Sequence, residues 1–301
     1  MLLILLLGLG LSLRLIAMTD HAVTLPDGRT LAFDEHGDPR GRPIVFLPCS
    51  PGSRRLDPDP ATTAAAGVRL LTVDRPGYGA STALPESIVP TLAALADDLA
   101  AGLAALGVER VAVIGWSAGG RGALALAARH PQRVSAVVLA GTPARDDEVP
   151  WISPEQRQMI PAMRADPLGA RRQLGQMFGG LAKDLDATMR LVAAAPADAK
   201  LLEDDPAARA RVAAMLEEAF APGVAGVVDD IVAGETVARG FDLAAVAAPL
   251  VGFYGTEDPL VPPAHGEWYA GQVARGEVRR VPGGHMIPIR HFRALLDAAL
   301  G

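Results

Sequence analysis

A chain of 301 residues, half of them apolar, is long enough to bury one large core and to carry an insertion. Its net charge of −6 offers no basic surface, so no nucleic-acid partner is expected. The single cysteine, Cys49, excludes an intrachain disulfide, and the six histidines are scattered without metal-ligand spacing, so neither a metal nor another cofactor is expected.

Residues 1–17 are almost wholly Leu, Ile and Gly, with Arg14 as the one charge. A helix of that length, at about 1.5 Å per residue, falls slightly short of a bilayer core of about 30 Å. No basic residue precedes the run, and the small-residue cleavage pattern is poor, with Leu15 and Ala17 its best candidates. Three readings stand: Met18 as the true start, which leaves the protein cytoplasmic, a signal sequence for secretion, or a short membrane anchor. A membrane partner is expected only if residues 1–17 are retained as an anchor.

Residues 22–25 and 30–33 flank Pro26, Asp27, Gly28 and Arg29, a tight reversal that predicts an antiparallel hairpin. Residues 44–47 and 68–73 read as short buried strands, the second followed by the Gly- and Pro-rich turn D-R-P-G-Y-G-A-S at 74–81. A helix is expected over 92–106, with Asp97 and Asp98 outward. The apolar run 111–114 predicts another buried strand, and the Ala- and Leu-rich stretch 118–129, ended by His130 and Pro131, predicts a helix. Strands at 134–139, 250–254 and 277–281 and a closing helix over 288–300 complete the rhythm. Strands alternating with helices at this spacing imply a mostly parallel sheet covered on both faces.

Between residues 142 and 240 the rhythm changes. No strand-like apolar run lies there, and helical pieces are broken by Pro154, Pro161, Pro167, Pro196, Pro206 and Pro222. The expected organisation is a core of residues 18–141 and 241–301 with a helical lid at 142–240.

Ser117, in Gly115-Trp116-Ser117-Ala118-Gly119-Gly120, stands on the corner between a predicted strand and a predicted helix. Such a corner strains the serine backbone and exposes its hydroxyl above the sheet edge. The N–H of Ala118 falls in the first helical turn, where amides lack an intrahelical partner, and so supplies half of an oxyanion hole. Ligands of open α/β sheets bind at the carboxyl ends of the strands. Two further groups fall at such ends: Asp258, after the strand at 250–254, and His285, in Pro282-Gly283-Gly284-His285.

A serine hydroxyl needs a base to become a nucleophile at neutral pH, and imidazole suits the task because it titrates near pH ~6.5. His285 is the candidate base, and Asp258 the candidate acid that fixes its tautomer, with Glu257 as the neighbouring alternative. Pro259, which should fix the turn, favours Asp258. The second oxyanion donor is expected from the backbone N–H of Ser50 in the loop Pro48-Cys49-Ser50-Pro51-Gly52-Ser53-Arg54. The other histidines are read as bland: His130 as a helix-end cap, His36, His265 and His291 as surface or packing residues, and His21 as lying near the start. Cys49 is read as a small buried filler, the alternative being a thiol reachable from the site. Arg121 is read as solvated or salt-bridged, the alternative being a partner for an acidic substrate group.

These stretches together resemble the α/β-hydrolase fold family, and more narrowly its lid-bearing, proline-iminopeptidase-like and esterase-like hydrolases common in actinobacteria. The resemblance is carried by T-L-P-D-G-R-T-L-A at 24–32, P-G-S-R at 51–54, D-R-P-G-Y-G-A-S at 74–81, G-W-S-A-G-G at 115–120, G-T-E-D-P-L-V-P at 255–262 and G-G-H at 283–285. It implies Ser117 as nucleophile, Asp258 as acid, His285 as base, and Ser50 and Ala118 as oxyanion donors. Relatives usually carry His-Gly before the oxyanion residue, where this chain has Pro48-Cys49, so slow turnover is one expectation.

The leading functional expectation is a serine hydrolase that cleaves a small ester or related carboxylic derivative through an acyl-enzyme. The serine at the elbow argues against a haloalkane dehalogenase, which by family resemblance would carry Asp there. A catalytically weak or inactive member that binds a small hydrophobic ligand under its lid is the second. An aminopeptidase of the proline-iminopeptidase type is a third, for which Glu203, Asp204, Asp205, Glu217 and Glu218 are the acidic candidates for a free amine. A membrane-anchored hydrolase of lipid esters rests on residues 1–17 alone.

Overall fold

The computed structural model describes residues 19–301. The readings of residues 1–17 and of a start at Met18 lie outside the described residues. Among the described residues, no helix is long and apolar enough to cross a membrane.

The expected hairpin forms from β1 (Thr19–Thr24) and β2 (Thr30–Gly37), which pair antiparallel with Val23 opposite Leu31. β3 (Arg42–Leu47), α1 (Pro60–Ala66), β4 (Val68–Val73), α2 (Leu92–Ala105), β5 (Val111–Trp116), α3 (Ala118–Arg129) and β6 (Val134–Ala140) follow in alternation. Seven α-helices then intervene: α4 (Pro154–Arg157), α5 (Ile160–Ala165), α6 (Pro167–Phe178), α7 (Leu185–Val192), α8 (Pro196–Asp204), α9 (Pro206–Ala219) and α10 (Ala225–Ile231). β7 (Leu250–Gly255), α11 (Ala264–Gln272), β8 (Gly276–Val281) and α12 (Ile287–Leu300) close the chain.

The prolines of the inserted segment open helices more often than they break them. Pro154, Pro167, Pro196 and Pro206 each occupy the first position of a helix, where a missing N–H costs nothing. Ser153, Asp166 and Asp205 cap three of those helices with side-chain oxygens.

The sheet order is β1-β2-β4-β3-β5-β6-β7-β8. β2 meets β4 antiparallel, and the strands from β4 to β8 in that order run parallel. Successive side chains of a strand point to opposite faces, so the central strands feed two cores. Val45, Leu47, Leu71, Val73 and Val113 pack with Leu99, Leu103, Leu124 and Leu126 of α2 and α3. Ile44, Phe46, Leu70, Ala112 and Ile114 pack with Phe292, Leu295 and Leu296 of α12. Each of the Val, Leu, Ile and Phe side chains withdrawn from water contributes about 1.5–3 kcal/mol. Met189, Leu202, Val212 and Met215 of the inserted helices join the second core, which ties the insertion to the sheet.

After β3 the chain passes to its neighbour β4 on one side, whereas after β5 it passes to β6 on the other. The connections leaving the adjacent ends of β3 and β5 therefore diverge and open a crevice between them. Ser50 and Ser117 both stand on those connections. One histidine departs from its reading: the His130 ring binds the Asp97 carboxylate at 2.8 Å and does not cap the carbonyls at the end of α3.

Candidate active site

Ser117 links β5 to α3 with φ 54° and ψ −125°, the one non-glycine residue with positive φ among the described residues. A left-handed serine costs of order 1–3 kcal/mol, and the surrounding bonds impose it. Its N–H donates to Ala140 O at 2.8 Å, which pins it to β6, while its hydroxyl makes no capping bond to α3. Ala118 is the first residue of α3, so its N–H belongs to the unpaired first turn. Gly119 brings the neighbouring loop close, because a methyl group there would overlap the carbonyl oxygens of Leu47 and Pro48.

That loop is held from behind by Arg75. Its guanidinium donates to Pro48 O at 2.6 Å and to Cys49 O at 2.8 Å, and pairs with Asp230 of α10 at 2.6 Å. A trans peptide points its C=O and N–H in opposite directions. Since Cys49 O faces Arg75, the N–H of Ser50 in the same peptide is turned away from Arg75. Tyr78 completes the network: its hydroxyl donates to Asp230 at 2.7 Å and lies 2.8 Å from Ser50 Oγ. Burial pushes the Tyr78 phenol well above its ordinary range, so it stays a donor. Arg75, a residue of the D-R-P-G-Y-G-A-S stretch, thus holds the carbonyls of Pro48 and Cys49.

Cys49 is a buried filler, 1% exposed, with its thiol on Pro51 O at 3.1 Å. Burial pushes the thiol up to about 12, so at pH ~8 almost no thiolate forms, against a free cysteine pKa of about 8.5. Iodoacetamide at that pH is expected to label the native protein at least ~1,000-fold more slowly than the urea-unfolded chain. Comparable rates, read by mass spectrometry, would show a reachable thiol.

The candidate acid and the candidate base meet. His285 Nδ1 lies 2.7 Å from Asp258 Oδ2, with both side chains buried. An ionised carboxylate can only accept, so Nδ1 carries the proton and Nε2 is left as the acceptor. The other oxygen of Asp258 accepts from Leu260 N at 2.8 Å and Val261 N at 3.0 Å, which fixes the carboxylate. Glu257 is turned elsewhere and accepts from Gly283 N at 3.2 Å.

The His285 ring lies over Gly141, the residue after β6, where an added methyl would stand 3.1 Å from Nδ1. Ser117 is hydrogen-bonded to the preceding residue, Ala140, so Ser117 and the His285 ring both lie at the carboxyl end of β6. Among the described residues, the Ser117 hydroxyl makes no hydrogen bond to His285. Such bonds are often long without substrate and tighten in the loaded complex. The His285 backbone is held from both sides: Trp116 Nε1 donates to its carbonyl at 2.9 Å, and Asp198 of α8 accepts its N–H at 2.6 Å.

Arg121 is buried, pairs with Glu235 and donates to the carbonyls of Pro143 and Ala144 at 3.0 and 3.1 Å. It is salt-bridged, and its Nε and Nη2 donors are engaged by the protein. His265 is a packing residue whose Nδ1 accepts from Ala144 N at 3.1 Å. His36 is buried in β2, and His291 donates to Pro282 O at 2.8 Å. Trp116, Arg75, Tyr78, Asp198 and Asp230 were not singled out in the sequence. The first three lay inside motifs already recognised, whereas nothing in the sequence marks either aspartate.

A family model described as alpha/beta hydrolase fold matches residues 42–292. The pimeloyl-[acyl-carrier protein] methyl ester esterase of Chromobacterium violaceum is 32% identical over 208 residues, 66% of this chain and 68% of that protein. A proline iminopeptidase of Xylella fastidiosa is 34% identical over 130 residues, but the match spans 40% of this chain and only 39% of that relative. Among solved structures, a hydrolase from Pseudomonas aeruginosa PA01 superposes with TM-score 0.69 at 25% identity, covering 94% of this chain and 98% of that one.

Proposed function

The chain belongs to the alpha/beta hydrolase fold family, and from that premise we propose that it is a serine hydrolase acting on a small ester or related carboxylic derivative. The observation that carries this reading is the Asp258–His285 hydrogen bond beside a serine held at positive φ on a strand-to-helix corner. Ser117 Oγ attacks the acyl carbon, and His285 Nε2 takes its proton. Asp258 holds the tautomer and stabilises the imidazolium. The N–H groups of Ala118 and Ser50 receive the negative charge on the carbonyl oxygen. His285 then returns the proton to the leaving alcohol, and a water activated by His285 releases the acid from the acyl-enzyme.

The helices α4–α10 serve as the lid over this site, and the reach of Asp198 and Asp230 into it supports that assignment. An amino-terminal peptidase needs an uncommitted carboxylate for the substrate amine. The acidic candidates either face solvent or are engaged: Glu203 and Glu217 are exposed, Asp204 is exposed and pairs with Lys200, Asp205 caps α9, and Glu218 pairs with Arg54. The paired state of Asp230 and Glu235 points the same way. A series of p-nitrophenyl esters of increasing acyl length, beside proline p-nitroanilide, tests the assignment. Turnover of the esters with kcat/KM at least ~100-fold above that of the anilide is expected. The opposite preference would move the reading to the peptidase, and turnover of neither substrate, with no fluorophosphonate adduct at Ser117, to a ligand-binding protein.

A further inference from the structure

We infer that Asp198, on the inserted helix α8, is a positioning residue for His285: it grips the backbone N–H of the base and sets a second negative charge beside its ring. This rests on the serine hydrolase reading above.

Asp198 is 2% exposed, and no lysine or arginine pairs with it among the described residues. A buried carboxylate without a cation is costly unless other groups satisfy it. Here backbone dipoles do so. The His285 N–H donates to Oδ2 at 2.6 Å, and the N–H of Met286 also favours the charged form. Both amides precede α12, and Asp198 itself lies in the first turn of α8, so the carboxylate faces the positive ends of two helices. Burial still pushes its carboxyl above the ordinary range. Gly284 makes the approach possible, since a methyl group there would overlap Asp198 Oδ2 and the Ala195 side chain.

With Trp116 on the carbonyl and Asp198 on the N–H, the His285 peptide is fixed on both sides, and Asp258 then selects the ring orientation. The charged groups bearing on Asp198 are His285 and Asp258. When His285 accepts the serine proton, its imidazolium therefore meets one carboxylate in direct contact and lies in the field of a second that is held on its own backbone N–H. A plain helix cap would supply the first function without the second.

Asp198→Asn separates the two, because the amide oxygen still accepts a hydrogen bond while the charge is gone; Asp198→Ala removes both. The readouts are kcat and KM for a p-nitrophenyl ester against pH, and the NMR titration of the His285 ring, which needs no activity. For Asp198→Asn we expect unchanged KM, kcat reduced about tenfold, and both the acidic limb of kcat/KM and the ring titration moved to lower pH by about half a unit or more. Asp198→Ala loses about 100-fold in kcat. An Asp198→Asn protein with the parent kcat and the parent ring titration would overturn the inference and leave Asp198 a cap, whether or not Asp198→Ala folds. Absent ester turnover in the parent refutes the hydrolase reading instead, and the ring titration then decides the electrostatic claim alone.

Discussion

Ser117→Ala is expected to lower kcat/KM on a short p-nitrophenyl ester by about 100,000-fold or more, to the residual rate that an oxyanion hole and binding alone provide. The loss is this large because the acyl-enzyme cannot form, so His285 and the two oxyanion donors have no covalent step to assist. Stability should barely change. The Ser117 hydroxyl makes no capping bond to α3, so its removal leaves no backbone donor orphaned, and alanine keeps the same backbone strain. A shift within about 0.5 kcal/mol is expected by urea unfolding. Ser117→Gly should be more revealing still, since glycine adopts φ 54° without a Cβ penalty. That variant is expected to be equally inactive yet more stable, the strain of about 1 kcal/mol having been relieved. Substantial activity in either variant, or a Ser117→Gly protein less stable than the parent, would contradict the assignment of strain and nucleophile to this position.

The second large effect is expected at Asp230. Asp230→Ala strips the carboxylate from Arg75, whose side chain is 2% exposed, and leaves a buried positive charge unpaired. Such a break costs about 3–5 kcal/mol of folding stability. It also frees the guanidinium that holds Pro48 O and Cys49 O, so the Ser50 N–H loses its fixed direction. A misdirected oxyanion donor costs about 100- to 1,000-fold in kcat, with KM little changed because the donor acts on charge that develops only in the transition state. The double variant Asp230→Ala/Arg75→Met distinguishes the two consequences. Removing the unpaired charge should recover part of the stability, while the loop carbonyls remain without donors and kcat stays low. If kcat returned together with stability, Arg75 would be no more than half of an ion pair, and the orientation of Ser50 would have another cause.

Both effects involve residues of very different legibility. Ser117 stood out because its corner is tied to a local pattern: a strand of apolar residues, a serine among small residues, and a helix of alanines and leucines. His285 and Asp258 were visible for the same reason, each following a short strand in a turn rich in Gly or Pro. The preference for Asp258 over Glu257 was also local, resting on Pro259; in the structure Asp258 contacts His285 and Glu257 contacts Gly283. Departures from the sequence reading were small where a residue's partner is distant. The His130 ring, read as a cap on its own helix, binds Asp97 of α2, 33 positions away. The prolines at 154, 167, 196 and 206 read as breaks because proline cannot continue a helix, but the same property makes it a good first residue.

The sequence by itself determined the alternation of strands and helices, the parallel sheet, the helical nature of residues 142–240 and the corner at Ser117. These follow from hydrophobic periodicity and turn chemistry, which act within about a dozen residues. Only the tertiary structure decided that Arg75 occupies the carbonyls behind the candidate oxyanion loop, that Asp230 neutralises Arg75, and that Asp198 grips the backbone N–H of His285. Asp230 lies 155 positions from Arg75, and Asp198 lies 87 from His285. An aspartate on an inserted helix looks the same in sequence whether it faces water or a buried amide. Its role is set by which amides and cations the closed fold brings against it, because only burial makes those contacts strong and their loss expensive.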